Sequence, residues 1–284
     1  MIQSLKTIKN RIRSTENTEK VTAAMEMVSV SKLNKSEKSL LAIRPFVLSL
    51  ESVMCNLIGS LPLATHTLLE AKNNSDRICL CVITSDSGLC GVYNNEIIRK
   101  AENFCNSYGR EKIDLICVGR KGFNYFKKNN FNILNAYIGL NGRYSEKVSN
   151  EILNNLTDIF ISGKASQVNL AYTHFKTALV HEQKVEKFLN IECVTPTQTS
   201  YILEPDKELI LNEIIPRYVS IKLKLIILEA FTAEHSARTV AMKAATDNAK
   251  ELLQSLVLLR NKVRQANITQ EIMEIISSSE ALKG

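Results

Sequence analysis

The sequence predicts an α/β protein: a long antiparallel coiled coil of the N- and C-terminal helices with an inserted Rossmann-like α/β domain. Three observations carry that expectation. Residues 217–283 hold no proline and no glycine, a run that would extend about 100 Å as a helix. Residues 1–44 are equally free of both. Eight of the ten glycines fall between Gly88 and Gly163, so the middle of the chain has a different texture from its ends.

The C-terminal arm, taken as 207–284, carries the clearer pattern. Leu252, Leu256, Leu259, Val263 and Ala266 are spaced 4, 3, 4, 3, the interval at which side chains of one helix meet a partner helix in a left-handed coiled coil. Upstream, Ala237, Ala241, Ala244, Ala245 and Ala249 replace large residues and allow close approach of another surface. The N-terminal arm, taken as 1–60, starts a similar stripe at Leu5, Ile8, Ile12 and Thr15. Val21, Met25, Val28 and Leu33 continue it with a phase drift. Pro45 is expected to kink or stop this helix, with apolar spacing resuming at Phe46, Leu50 and Met54. Pro216 is expected to bend the entry to the C-terminal helix. Two separate amphipathic helices on a globular core are the alternative, but the narrowness of both stripes favours a pair.

Residues 76–205 read as alternating strands and helices. Arg77–Ser85 is a short apolar run of the kind buried on both faces. A turn with Gly88 and Gly91 follows, then a helix over 95–108. Strands are expected at 113–118 and 132–138, and an amphipathic helix at 145–161 with Val148, Ile152, Leu156 and Ile159 on one face. Segments 167–175 and 177–191 read as further strands, forming a hairpin. This alternation implies a mostly parallel sheet. Asn73–Ser75 and the proline-bearing stretch 195–206 are the junctions.

At 284 residues and 45% hydrophobic, the chain can bury a sizeable core. Its seven cysteines lack any CxxC pair and read as free thiols in a reducing compartment. The four histidines, His66, His174, His181 and His235, offer no metal-ligand spacing. There is no run of 18 or more apolar residues, and the first twenty residues lack a signal-peptide stretch. The net charge of +7 is uneven: between Lys6 and Arg44 nine Lys/Arg face four Glu. Such a basic helix suits a nucleic acid, an acidic membrane surface or an acidic protein. Nucleic acid is disfavoured, because the arm has no exposed aromatics for stacking and no binding module.

The loop ITSDSGLCG (83–91) sits where α/β proteins often bind ligands. Its spacing is GxxG, without the GxGxxG or GxxxxGK[ST] that cradle phosphates. No histidine base accompanies Ser85 or Ser87 in a recognisable motif. The loop therefore reads as structural or as a docking turn. Two other functions stay open on residues alone: a nucleotide-binding α/β enzyme with helical arms, and a basic coiled-coil nucleic-acid-binding protein.

AMEMVSVSKL (24–33), ITSDSGLCG (83–91), LEPDKE (203–208), EHSARTVAMKAATDNA (234–249) and NKVRQANITQEIMEI (261–275) together resemble the gamma subunit of rotary F-type ATP synthase, in order and from end to end. The resemblance implies a rotor stalk whose paired terminal helices reach into a ring of three alpha and three beta subunits. The α/β domain would lie beside the epsilon subunit and above the c-ring. Catalytic sites, nucleotide and magnesium belong to the alpha/beta ring, so no catalytic residue, cofactor or metal is expected here. The likeness starts within the first few residues, which leaves no room for a transit peptide. It implies a bacterial form, peripheral on the cytoplasmic face of the inner membrane. Cys193 stands without the regulatory cysteine-containing insertion of the chloroplast form. By motif, Met25, Arg264, Gln265, Thr269 and Gln270 match contacts with the alpha/beta ring, and Tyr201, Leu203 and Glu204 match contacts with the c-ring and epsilon. Leu203 stands where relatives can carry an aromatic, and Ser87 where a basic residue is frequent.

Overall fold

A computed structural model describes residues 5–59, 66–70, 75–192 and 207–281. The elements are α1 (Leu5–Gly59), β1 (Ile78–Ile83), α2 (Tyr93–Tyr108), β2 (Ile113–Val118), α3 (Arg120–Lys128), β3 (Ile133–Tyr137), α4 (Glu146–Ile161), β4 (Gln167–Phe175), β5 (His181–Leu189) and α5 (Lys207–Ala281). They form two compact units, one of Met1–Val28 with Thr239–Gly284 and one of Ser29–Arg238. The divisions fall inside α1 and α5.

In the Ser29–Arg238 unit the strands form one sheet in the order β3-β2-β1-β4-β5. β1 pairs in parallel with β2 and β4, and β2 with β3. β4 and β5 are an antiparallel hairpin. β1 and β2 are buried at every residue, which explains their continuous apolar runs. Alternate residues of β1 serve opposite faces. Ile78, Leu80 and Val82 join a core with Ile97, Ala101 and Phe126 of α2 and α3. Cys79, Cys81 and Ile83 join a second core with Ile152, Leu156 and Phe160 of α4, Met54 and Leu57 of α1, and α5 from Leu211 to Phe231. Burial pushes the Cys79 and Cys117 thiols up to about 12, so they behave as small apolar side chains.

Both of these prolines lie within helices: α1 runs on past Pro45 where a kink or stop was expected, and Pro216 falls inside α5, which begins at Lys207. Each is exposed. The carbonyl that loses its amide partner four residues upstream belongs to Leu41 in one case and Asn212 in the other, and both residues are exposed to water. Phe46 is exposed to 55%, whereas its neighbour Val47 is buried. In this unit α1 turns in Ser29, Leu33, Ser36, Leu40, Ile43 and Val47, an unbroken alternation of four and three. α5 is buried at every residue from 226 to 236, which is why no amphipathic stripe shows there. α1 also contains an 18-residue window of mean hydropathy 1.5, long and apolar enough by composition to cross a membrane. Val47, Met54 and Leu57 of the same helix are buried in the protein.

In the helical unit, Ile8 and Ile12 of α1 pack with Leu256 of α5, and Leu253, Val257 and Val263 lie against them. The Thr22 and Thr246 hydroxyls meet at 2.9 Å. Because Thr22 meets 246 while Ile8 meets 256, the two helices run antiparallel. The seam differs in register from the expected one. Leu252 and Leu259 are exposed to 50% and 39%, and Ala266 is exposed. The inward residues are Met242, Thr246, Ala249, Leu253, Leu256, Arg260, Val263 and Asn267, again four and three by turns. On α1 the phase drift is absent. Val21 and Val28 are exposed to 58% and 57%, and the inward positions are Leu5, Ile8, Ile12, Thr15, Glu19, Thr22 and Glu26. Polar side chains occupy seam positions that an apolar count assigns to neighbours.

Candidate functional site

The sheet order places the topological switch between β1 and β4, the crevice where open α/β sheets take ligands. Here the chain fills that end of the sheet with α5. Tyr93 at the start of α2 donates its hydroxyl to the Ala230 carbonyl at 2.9 Å. Arg238 donates from Nη2 to the Ser87 hydroxyl at 3.1 Å and from Nη1 to Glu234 at 2.8 Å. Asp86 accepts the backbone amides of Arg120, Gly139 and Asn141 at 3.0, 2.9 and 2.7 Å. The β1–α2 loop thus spends its polar groups on its own loops and on α5, and it reads as a docking turn, not a phosphate cradle. Gly119, at φ +98°, is obligatory beside it, because a Cβ would lie 2.2 Å from the Thr84 carbonyl oxygen.

Buried charge concentrates on α5. Glu229 accepts from Arg44 of α1 at 3.0 Å and meets His174 of β4 at 2.6 Å. Burial raises the Glu234 carboxyl above its ordinary range, with Arg238 opposing. His235 donates from Nε2 to the Gly142 carbonyl at 2.9 Å, and burial lowers its pKa to about 4, so the ring is neutral at pH 7. Sequence reasoning quoted EHSAR only as a family motif. Its polar cluster at 234–238, directly after the mostly apolar stretch 225–233, was the available signal that this turn is held by specific partners.

The residues matched to ring contacts all lie in the helical unit. Met25 is half-buried on α1. Arg264, Gln265, Thr269 and Gln270 are exposed on α5, with Gln270 donating to Glu274 at 2.9 Å. Every described residue from 268 to 281 is exposed, including Ile268, Ile272, Met273, Ile275 and Ile276 at 47–68%. Tyr201, Leu203 and Glu204 lie outside the described residues.

A helical pair with an apolar bare end, and a sheet domain whose ligand crevice is closed by its own helix, define a protein built for contact with other proteins. A family profile described as ATP synthase matches residues 4–282. The ATP synthase gamma chain of Protochlamydia amoebophila is 35% identical over 288 residues, 99% of each chain. That of Heliobacterium modesticaldum is 36% identical over 289 residues, 98% of this chain and 99% of its own. A chain in the Euglena gracilis mitochondrial ATP synthase structure shares the fold with TM-score 0.69 at 16% identity, covering 98% of this chain and 94% of that one. A chain in the central stalk/c-ring structure of the Tetrahymena thermophila enzyme gives TM-score 0.58 at 22% identity, covering 79% of this chain and 99% of that one. The chain belongs to the ATP synthase gamma-chain family and is a subunit of that complex.

Proposed function

We propose that this chain is the central rotor stalk of a proton-translocating ATP synthase, coupling c-ring rotation to conformational change at catalytic sites on the alpha/beta ring. The observation that carries this reading is the end of α5. Past residue 267 every described residue of α5 is exposed, isoleucines and a methionine among them, an apolar surface that water disfavours and a surrounding protein sleeve would cover. One asymmetric helical pair cannot touch three equivalent subunits alike. Its contacts differ at each, and the difference in contact free energy biases each site toward a different conformation. Rotation permutes those biases, so product release at one site is tied to binding at another. The chain supplies no catalytic residue; the chemistry belongs to alpha and beta. Met25, Arg264, Gln265, Thr269 and Gln270 meet the alpha/beta ring, and Tyr201, Leu203 and Glu204 meet the c-ring and epsilon. The complex holds the chain at the cytoplasmic face of a bacterial inner membrane.

Co-purification with alpha and beta followed by a subunit count tests this. One copy of the chain per three alpha and three beta subunits is expected. Stoichiometric micromolar binding of magnesium-ATP by the purified chain, read by calorimetry, would instead favour the nucleotide-binding enzyme.

A further inference from the structure

The chain holds a single Asn–Gly pair, Asn141–Gly142, between β3 and α4. The pair forms the centre of a tight turn, closed by the Arg143 amide donating to the Leu140 carbonyl at 3.0 Å. Both central residues stand at positive φ, +51° and +68°, a pattern that Asn-Gly meets with little strain. The backbone of this turn is fully engaged. Asn141 donates its amide to Asp86 at 2.7 Å, and Gly139 donates to the same carboxylate at 2.9 Å. The Gly142 carbonyl accepts from His235 at 2.9 Å. A Cβ at 142 would lie 2.5 Å from the His235 ring, so glycine is required there. The asparagine side chain is spare by comparison. Asn141 is exposed, and its side-chain nitrogen reaches the Gly139 carbonyl at 3.0 Å. Among the described residues the Gly142 N–H donates to nothing. A backbone nitrogen with no hydrogen bond and no flanking side chain therefore follows directly on a side-chain amide in water.

We propose that Asn141–Gly142 is a covalent modification site, deamidating through a cyclic imide to aspartate and isoaspartate. The Gly142 nitrogen attacks the Asn141 side-chain carbonyl carbon. The new C–N bond closes the imide, the Cγ–Nδ2 bond breaks, and ammonia leaves carrying the Gly142 amide proton. Water then opens the ring. Cleavage on the side-chain side leaves an aspartate in the normal main chain. Cleavage on the main-chain side routes the chain through the former side chain and frees the old main-chain carboxyl. Either product places a new negative charge in the turn that Asp86 holds, and the two like charges repel. Isoaspartate also lengthens the main chain, so the amide at 141 and the carbonyl at 142 cannot both keep their partners. Modification thus loosens the clasp between this turn, the β1–α2 loop and α5.

The test ages the full folded chain in mildly alkaline buffer and maps deamidation by tryptic mass spectrometry. Conversion at Asn141 should outrun that at every other asparagine. A purified isoaspartyl methyltransferase with labelled S-adenosylmethionine should then mark the peptide that contains it. Asn141→Gly accepts the positive φ without strain, keeps the backbone amide and lacks the reacting side chain, so its aged form should carry no label there. Converted wild-type chain, separated by anion exchange, should take up deuterium faster across residues 139–142 than fresh chain, whereas aged and fresh Asn141→Gly should match. Conversion at Asn141 no faster than at Asn106, an exposed helical asparagine followed by serine, overturns the proposal. So does conversion that occurs only after unfolding in urea, since the folded turn would then shield the pair. Unchanged deuterium uptake in the converted chain overturns the loosening of the clasp.

Discussion

Arg44 of α1 donates to Glu229 of α5 at 3.0 Å, and the pair is lopsided: the arginine side chain is 28% exposed, the glutamate 4%. Arg44 also donates to the Phe175 carbonyl at 2.8 Å. One guanidinium therefore ties α1, β4 and α5 of the Ser29–Arg238 unit, while neutralising a carboxylate that water cannot reach.

Removing only the arginine should be costly, because it strands a buried charge. Arg44→Met is expected to lower unfolding free energy by about 2–3 kcal/mol, less than a full orphaning because His174 remains beside Glu229. Glu229→Met added to it should recover much of the loss. Urea unfolding of the wild type, both single variants and the double closes the cycle. Simple additivity of the two losses would mean that the pair is not coupled.

The helical unit gives a sharper contrast. Leu256 is 7% exposed, whereas Leu252 is exposed to 50%. An aspartate at 256 must be buried unpaired, at a cost of several kcal/mol. At 252 the same substitution meets water and should cost under about 1 kcal/mol. Helical circular dichroism on heating should show early melting for Leu256→Asp and near wild-type behaviour for Leu252→Asp. Equal effects would sink the register described here.

That register is also where sequence reading fell short. Both long helices were legible, because glycine and proline are absent or lie on exposed faces. The doubly wound sheet was legible from apolar runs and glycine turns. The phase of the seam was not, since Leu252 and Leu259 look like core residues while Arg260 and Asn267 do not. Arg260 is half-buried at a seam position, and Thr22 faces Thr246, so polar residues fill core positions. Apolar counting also missed that α5 is buried all round from 226 to 236. The partners of Glu229 and His235 lie 55 to 185 residues away in sequence, beyond any local pattern.

His235 supplies a pH prediction. Its folded pKa, about 4, lies below the unfolded value of 6.5. Its contribution to stability is fully present above pH 6.5 and is lost as pH falls toward 4, up to about 3 kcal/mol. Arg238 and Lys32 reinforce the neutral state. His235→Gln can still donate an N–H to the Gly142 carbonyl but cannot titrate. Its denaturation midpoint should fall less than that of the wild type between pH 7.5 and 4.5. Parallel losses in both proteins would assign the acid sensitivity to carboxylates elsewhere.

The last prediction separates coupling from catalysis. Arg264 and Gln265 are exposed on α5, beside Val263, which packs against the Ile8–Ile12–Leu256 cluster. Arg264 can bind a carboxylate through two parallel N–H bonds, and Gln265 can both donate and accept. Arg264→Ala with Gln265→Ala removes those groups, leaves the seam apolar and keeps good helix formers. The proposed function puts the catalytic chemistry on other subunits of the reconstituted complex, and on that reading nucleotide binding at a single site should stay near wild type. Multisite hydrolysis and proton-driven synthesis should both fall, because each site then feels the shaft's angle less. Comparing the three rates in one preparation checks this. If all three remain at wild-type level, Arg264 and Gln265 are solvated helix surface and the ring contact lies elsewhere on α5; if single-site binding falls as well, the substitutions have disturbed assembly rather than coupling.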